Sequence, residues 1–213
     1  MGADRTFGWV NSDKKTISVA LCLDFANTVG NRLSSNSSRE YLNEFADLVR
    51  WCLEGELISS GVAQLLLEQA KREPEKAAGM LLEARELRDV IHRIFFARLK
   101  RRPPASVDLR KFNLFLSSMP LLFEVRMENH RLVCHHKPAD TGLAQLVAPV
   151  AWSAANLLAS REMVYVKQCG DRECGWLFLD TTKNHKRRWC DMSACGCRAK
   201  ARTYYRRKKR FAS

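Results

Sequence analysis

Between Cys169 and Arg210 the chain reads CGDRECGWLFLDTTKNHKRRWCDMSACGCRAKARTYYRRKKR. Four residues separate Cys169 from Cys174, four separate Cys190 from Cys195, and fifteen lie between the two pairs. Two close cysteine pairs joined by enough chain for a hairpin can bring four thiolates to the corners of a tetrahedron, which Zn²⁺ accepts at about 2.3 Å. Four sulfurs leave no open coordination position, so such a site is structural and not catalytic. Disulfides are the competing reading. The opening residues MGADRTFGWV are charged and polar where a secretory signal has an apolar core, which favours reduced thiols and a cytoplasmic chain. Cys197, His185 and Asp171 lie close by as rival ligands. A helix starting near Ser193 would point Cys197 about 200° away from Cys195, so Cys197 is expected to stay off the metal, and His185 is expected to be solvated in a basic loop.

The residues around the cysteines suggest how they are held. MVYVKQC predicts a strand delivering Cys169, Gly170 and Gly175 suit a tight knuckle, and WLFLD predicts a second strand with Trp176 and Phe178 on one face. A module this small builds little core, so Trp176, Phe178 and Trp189 are expected to supply most of it and the metal the rest. Asp180 is expected to hold backbone N–H groups or an arginine. Ser193 is expected to cap a last helix with Cys195 in its first turn. Hairpin knuckle plus helix N-terminus predicts a treble-clef-like zinc module.

Charge follows the same stretch. Of the net +13 on 213 residues, residues 169–213 carry thirteen Lys and Arg against four acids. Lys200, Arg202, Arg206, Arg207, Lys208, Lys209 and Arg210 surround the predicted last helix, and Arg187 and Arg188 precede Cys190. A basic pole on a metal-held module fits a polyanion partner, and nucleic acid is preferred over a membrane surface. Lys208, Lys209 and Arg210 are expected to neutralise phosphates, whereas Arg187, Arg188 and Arg198, held by the metal site, are expected to touch bases. Tyr204 and Tyr205 suit either stacking on a base or packing on the finger. No apolar run nears the roughly 18 residues that span a bilayer, so no membrane role is expected.

Upstream, the pattern predicts a mostly helical α+β domain over residues 1–163, with residues 164–213 as the zinc module. ISVALCL (17–23) alternates as a buried strand would. A helix capped by Ser38 is predicted over Arg39–Glu54, stopped by Gly55. Ser59 or Ser60 opens another to about Arg72, and Pro74 a third to about Lys100, with Leu81, Leu82, Leu87, Val90, Ile91, Ile94 and Phe95 as its buried stripe. A short helix over 107–117 should bury Leu109, Phe112, Phe115 and Leu116. LLFEVRMENHRLVCHH predicts a β-hairpin turning near Asn129. A helix follows from Ala144 to Arg161, with a kink or late start at Pro149. Asp24, Asn27, Thr28, Arg32 and His92 are candidates to line a small-molecule pocket, although polar residues at a strand end also make caps and turns. There is no phosphate-binding glycine loop or HExxH, so no enzyme is expected.

CxxxxCGWLFLD followed by RRWCDMSACGxRAKARxxxRR resembles the CGNR zinc finger, the C-terminal module of bacterial proteins described as stress-induced transcription regulators. The family's Cys-Gly-Asn-Arg tetrad is here Cys195, Gly196, Cys197 and Arg198. LCLDFANTV at Leu21–Val29 is similar to the LDFxNT signature that opens the family's N-terminal domain. The resemblance implies a sensory or dimerising N-terminal domain, acting through a small-molecule effector or a homodimer, and a zinc-held module that binds double-stranded DNA. An RNA-binding or ribosome-associated protein is the alternative, and an enzyme in the N-terminal domain a lesser one.

Overall fold

A computed structural model describes residues 20–118, 122–128, 131–137 and 143–211. Seven α-helices are described: α1 Leu21–Ala26, α2 Phe45–Glu54, α3 Ser60–Arg72, α4 Pro74–Leu99, α5 Ser106–Ser118, α6 Leu143–Ala159 and α7 Cys197–Phe211. The described strands form three separate antiparallel pairs: β1 Val29–Gly30 with β2 Arg39–Glu40, β3 Leu122–Glu128 with β4 Arg131–Lys137, and β5 Val166–Gln168 with β6 Leu177–Leu179. The protein is thus mainly helical with small strand pairs, and the hairpin pairs Glu128 with Arg131, while the expected turn at Asn129 lies outside the described residues.

Where the alternation predicts a strand at 17–23, residues 21–26 form a helix; residues 17–19 lie outside the described residues. Leu21, Cys22, Leu23, Phe25 and Ala26 are all buried, so the run packs all round and its periodicity carries no message. Ala20 provides no side-chain cap. Instead Ser153 of α6 accepts the Cys22 N–H at 3.1 Å, satisfying one donor that a helix start leaves open. Burial raises the Cys22 thiol to about 12, so this cysteine stays a neutral core residue.

The second helix begins at Phe45, not Arg39. Glu40 turns its carboxylate onto its own following backbone, accepting from Tyr41 N at 3.0 Å and Leu42 N at 2.9 Å, and this holds the segment out of helix. Glu44 and Asp47 then close a capping box. Ser59 caps α3 through Val62 N, and Pro74 sits in the first turn of α4, as expected. Leu82 is 68% exposed and leaves the predicted α4 stripe, whose other members are buried. In α5 only Phe112 of the four expected residues is fully inside, with Phe115 and Leu116 partly buried and Leu109 39% exposed. Pro149 lies inside an uninterrupted α6, so that helix does not start late. Residues 161–165 form a 3₁₀ turn, shortening the predicted strand to Val166–Gln168.

One apolar core joins α1, α2, α4 and α6, and it includes Val166 of β5 and Leu177 of β6. Side chains alternate across a strand. In β6 that alternation sends Leu177 and Leu179 to the main core, while Trp176, just before it, packs against the cysteine cluster.

Candidate metal centre and nucleic-acid interface

Cys169, Cys174, Cys190 and Cys195 bring their Sγ atoms within 4.8 Å of one another. Cys190 Sγ lies 3.7 Å from both Cys174 Sγ and Cys195 Sγ. A tetrahedron with zinc–sulfur bonds of about 2.3 Å has edges of about 3.8 Å, so the four sulfurs fit one zinc ion. Cys197 is exposed and outside the cluster, as its predicted direction required.

Each ligand is fixed by local backbone. Cys169 follows β5 and donates its N–H to Trp176 O at 2.8 Å, closing the knuckle, and Cys174 N reaches Asp171 O at 3.1 Å. Cys195 lies in a wide helical turn, Met192–Gly196, that precedes α7. Its cap is Asp191 and not Ser193: the Asp191 carboxylate accepts from Ala194 N at 2.6 Å and from the Ser193 hydroxyl at 2.7 Å. The aspartate is favoured because a charged acceptor makes the stronger bond to a helix start.

Second contacts reinforce the sulfurs. Arg198 Nη2 donates to Cys195 Sγ at 3.1 Å, and its Nε reaches Asp171 at 3.1 Å. Arg202, one turn on, meets the same carboxylate oxygen at 2.9 Å. Burial opposes ionisation of Asp171, but the Glu173 N–H and the two guanidiniums outweigh it and keep the carboxylate ionised. Four thiolates on Zn²⁺ leave a net negative centre, and donors such as Arg198 disperse that charge.

The loop 181–189 is held from below. Asp180, 0% exposed, accepts from Lys167 Nζ at 2.6 Å, Thr182 N at 3.1 Å, Thr182 Oγ1 at 2.6 Å and Arg187 N at 2.9 Å. Burial raises its carboxyl, and these donors more than reverse that, holding it well below the usual carboxylate range. His185 is not a freely solvated residue: its ring stacks on Tyr165 at 3.8 Å, and Nδ1 bonds Asp180 O at 2.7 Å. Arg187 folds back, with Nε on Trp189 O at 2.9 Å, Nη2 on Cys190 O and the guanidinium 4.9 Å over the Phe178 ring. Lys183, Lys186, Arg188, Lys200 and Lys208 are exposed. The side chains of Arg206, Arg207, Lys209 and Arg210 lie outside the described residues.

The residues considered for a pocket have other partners. Asn27 Nδ2 donates to Leu177 O at 2.7 Å, and its Oδ1 accepts from Leu177 N at 2.9 Å. Arg32 N reaches Cys174 O at 2.9 Å, Leu33 N reaches Glu173 O at 3.1 Å, and Trp176 Nε1 reaches Val29 O at 2.7 Å. His92 of α4 bonds Gly175 O at 3.1 Å; because a carbonyl only accepts, Nε2 carries the proton. Gly175 has φ +73°, and a Cβ there would stand 2.9 Å from Leu33 Cγ, so glycine alone permits this approach. Behind the seam, Arg32 pairs with Asp89 at 2.9 Å, and buried Arg88 pairs with Glu40 at 2.6 Å and Asp89 at 3.2 Å. Thr28 donates to Phe25 O, a turn contact. Asn27, Arg32 and His92 thus bond the zinc knuckle, α4 or the end of α1, with Arg32 Nε left buried and without a hydrogen bond. Asp24 stays half-buried nearby, raised by burial to about 7. A cavity of about 290 Å³ does exist between α2, α3 and α4, lined by Phe45, Leu66, Ala70, Ala77 and Met80 among others. Gln69, Glu73 and Lys76 complete its lining, and no motif in the sequence marks these helix-face positions as a site.

Two family models match the chain: ABATE, described as “Putative stress-induced transcription regulator”, over residues 19–161, and the CGNR zinc finger over residues 165–208. No curated protein matches it. By the extent of these matches the chain belongs to the ABATE family, carrying a CGNR zinc finger with its four-cysteine centre.

Proposed function

We propose that this protein is a DNA-binding transcription regulator, in which the zinc module binds double-stranded DNA and the helical part senses a small effector or pairs two copies. The observation that carries the reading is the set of exposed cations Lys183, Lys186 and Arg188 in the loop between the cysteine pairs of a four-cysteine centre, followed by exposed Lys200 and Lys208 on α7. Residues 181–190 contain no acid. Fixed cations facing a polyanion release its counterions without first paying to order the loop that carries them. The cavity between α2, α3 and α4 supports an effector role, and exposed Leu65, Leu82 and Leu114 support a contact between copies. Among the described residues no helix is long and apolar enough to cross a membrane.

Competition binding of the zinc-loaded chain against duplex DNA, structured RNA and single strands tests this. Duplex DNA is expected to compete best at equal nucleotide concentration. Preferential competition by structured RNA would instead favour an RNA-binding or ribosome-associated protein.

A further inference from the structure

Arg198 and Arg202 stand four residues apart on α7, and both point their guanidiniums at buried Asp171, with Arg198 also on Cys195 Sγ. Both guanidiniums of that α7 face are thus committed to Asp171 beside the metal centre, with their side chains only partly exposed. Arg187 is likewise engaged, by Trp189 O, Cys190 O and the Phe178 ring. The exposed cations whose guanidinium or ammonium groups make no ion pair or carbonyl bond among the described residues are others, although the Arg188 guanidinium lies 5.2 Å over the Trp189 ring. Lys183, Lys186 and Arg188 all project from the loop whose carbonyl and N–H groups Asp180 and Lys167 hold, and Arg188 O accepts from Gly170 N at 2.7 Å.

A side chain discriminates bases only when its backbone is fixed, because bidentate contact with a guanine edge tolerates little displacement. The loop meets that condition at both ends. Exposed Thr181 and Asn184 add a hydroxyl and an amide suited to base edges. Accordingly we propose that loop 183–188 is the sequence-reading element, with Lys183, Lys186 and Arg188 facing the groove of duplex DNA, and that Arg198 and Arg202 are positioning residues that brace the metal centre. This rests on the DNA-binding reading above.

The test uses a duplex enriched by the full zinc-loaded chain, compared with a random duplex of equal length. Arg188→Ala, and separately Lys183→Ala with Lys186→Ala, should each lower the preference for the enriched duplex by about tenfold, with zinc retained. Asp180→Asn, which weakens the grip on the loop and leaves all three cations present, should lower the same preference. Arg198→Lys should speed zinc transfer to a chelator and lower affinity for both duplexes in equal proportion. The proposal is overturned if the loop variants weaken both duplexes equally, or if Arg198→Lys abolishes the preference while zinc stays bound. If the unmodified chain binds no duplex DNA, the DNA-binding reading itself fails, an outcome distinct from the other two.

Discussion

The side-chain amide of Asn27 and the backbone of Leu177 hold each other in both directions, Nδ2 to O at 2.7 Å and N to Oδ1 at 2.9 Å, across 150 residues of chain. In effect Asn27 acts as a strand partner for the edge of β6 that β5 leaves unpaired. Leu177 is 0% exposed, so loss of the amide leaves a buried N–H and C=O unpaired, each at about 1–3 kcal/mol. Asn27→Ala should therefore cost about 2–6 kcal/mol in chemical denaturation of the zinc-loaded protein. A change below about 0.5 kcal/mol, typical of an unengaged surface position, would contradict the seam.

Removal of zinc should reach beyond the finger. The wild-type chain is expected to carry about one zinc, and Cys174→Ser or Cys190→Ser to carry none. Because Val166 and Leu177 belong to the main core, the helical signal of these variants should melt at lower temperature, even though α1 to α6 keep most of their own packing. Melting at the wild-type temperature would show that the two segments fold without reference to each other. The sequence alone suggests that independence, because nothing in residues 164–179 reveals which strand face meets another core.

Much of the site is legible in the chain, for identifiable reasons. Cysteine spacing is a local signal, and it names all four members of the sulfur cluster and sets Cys197 aside. Helices α3 and α4 are bounded by Ser59 and Pro74, residues whose chemistry acts on their own backbone. What is not legible depends on partners elsewhere. Residues 21–26 are helical beneath Ser153 of α6, Asp191 rather than Ser193 caps the turn before α7, and Asn27, Arg32 and His92 meet a knuckle some eighty to one hundred and fifty residues away. A polar cluster that binds its own protein has the same sequence signature as one that binds a ligand.

Two titratable groups should pull stability in opposite directions with pH. Burial, helped by the Arg32 guanidinium, lowers His92 from 6.5 to about 4. The unfolded chain thus takes up that proton first as pH falls, and stability drops from about pH 6.5 toward 4. Burial raises Asp24 from 3.8 to about 7. Here the unfolded chain ionises first, and stability drops as pH rises from about 4 toward 7. Urea midpoints at pH 5 and pH 8 separate the two: the deficit of His92→Gln relative to wild type should be smaller at pH 5, and Asp24→Asn should gain most at pH 8. The reverse order for either variant would contradict its assigned environment.

Phosphate contacts should be countable by salt. On duplex DNA the logarithm of affinity falls against the logarithm of salt by about 0.9 per contact. Lys200→Ala and Lys208→Ala, at exposed positions of α7, should each reduce that slope by roughly one and weaken all sequences alike. An unchanged slope would remove those lysines from the interface.

Recovery of genomic fragments by the purified, zinc-loaded chain tests the central claim most directly. A transcription regulator with a fixed reading loop predicts strong enrichment of a few fragments that share a short sequence, lost on zinc removal. Uniform recovery of fragments, or recovery that survives complete zinc removal, would contradict it.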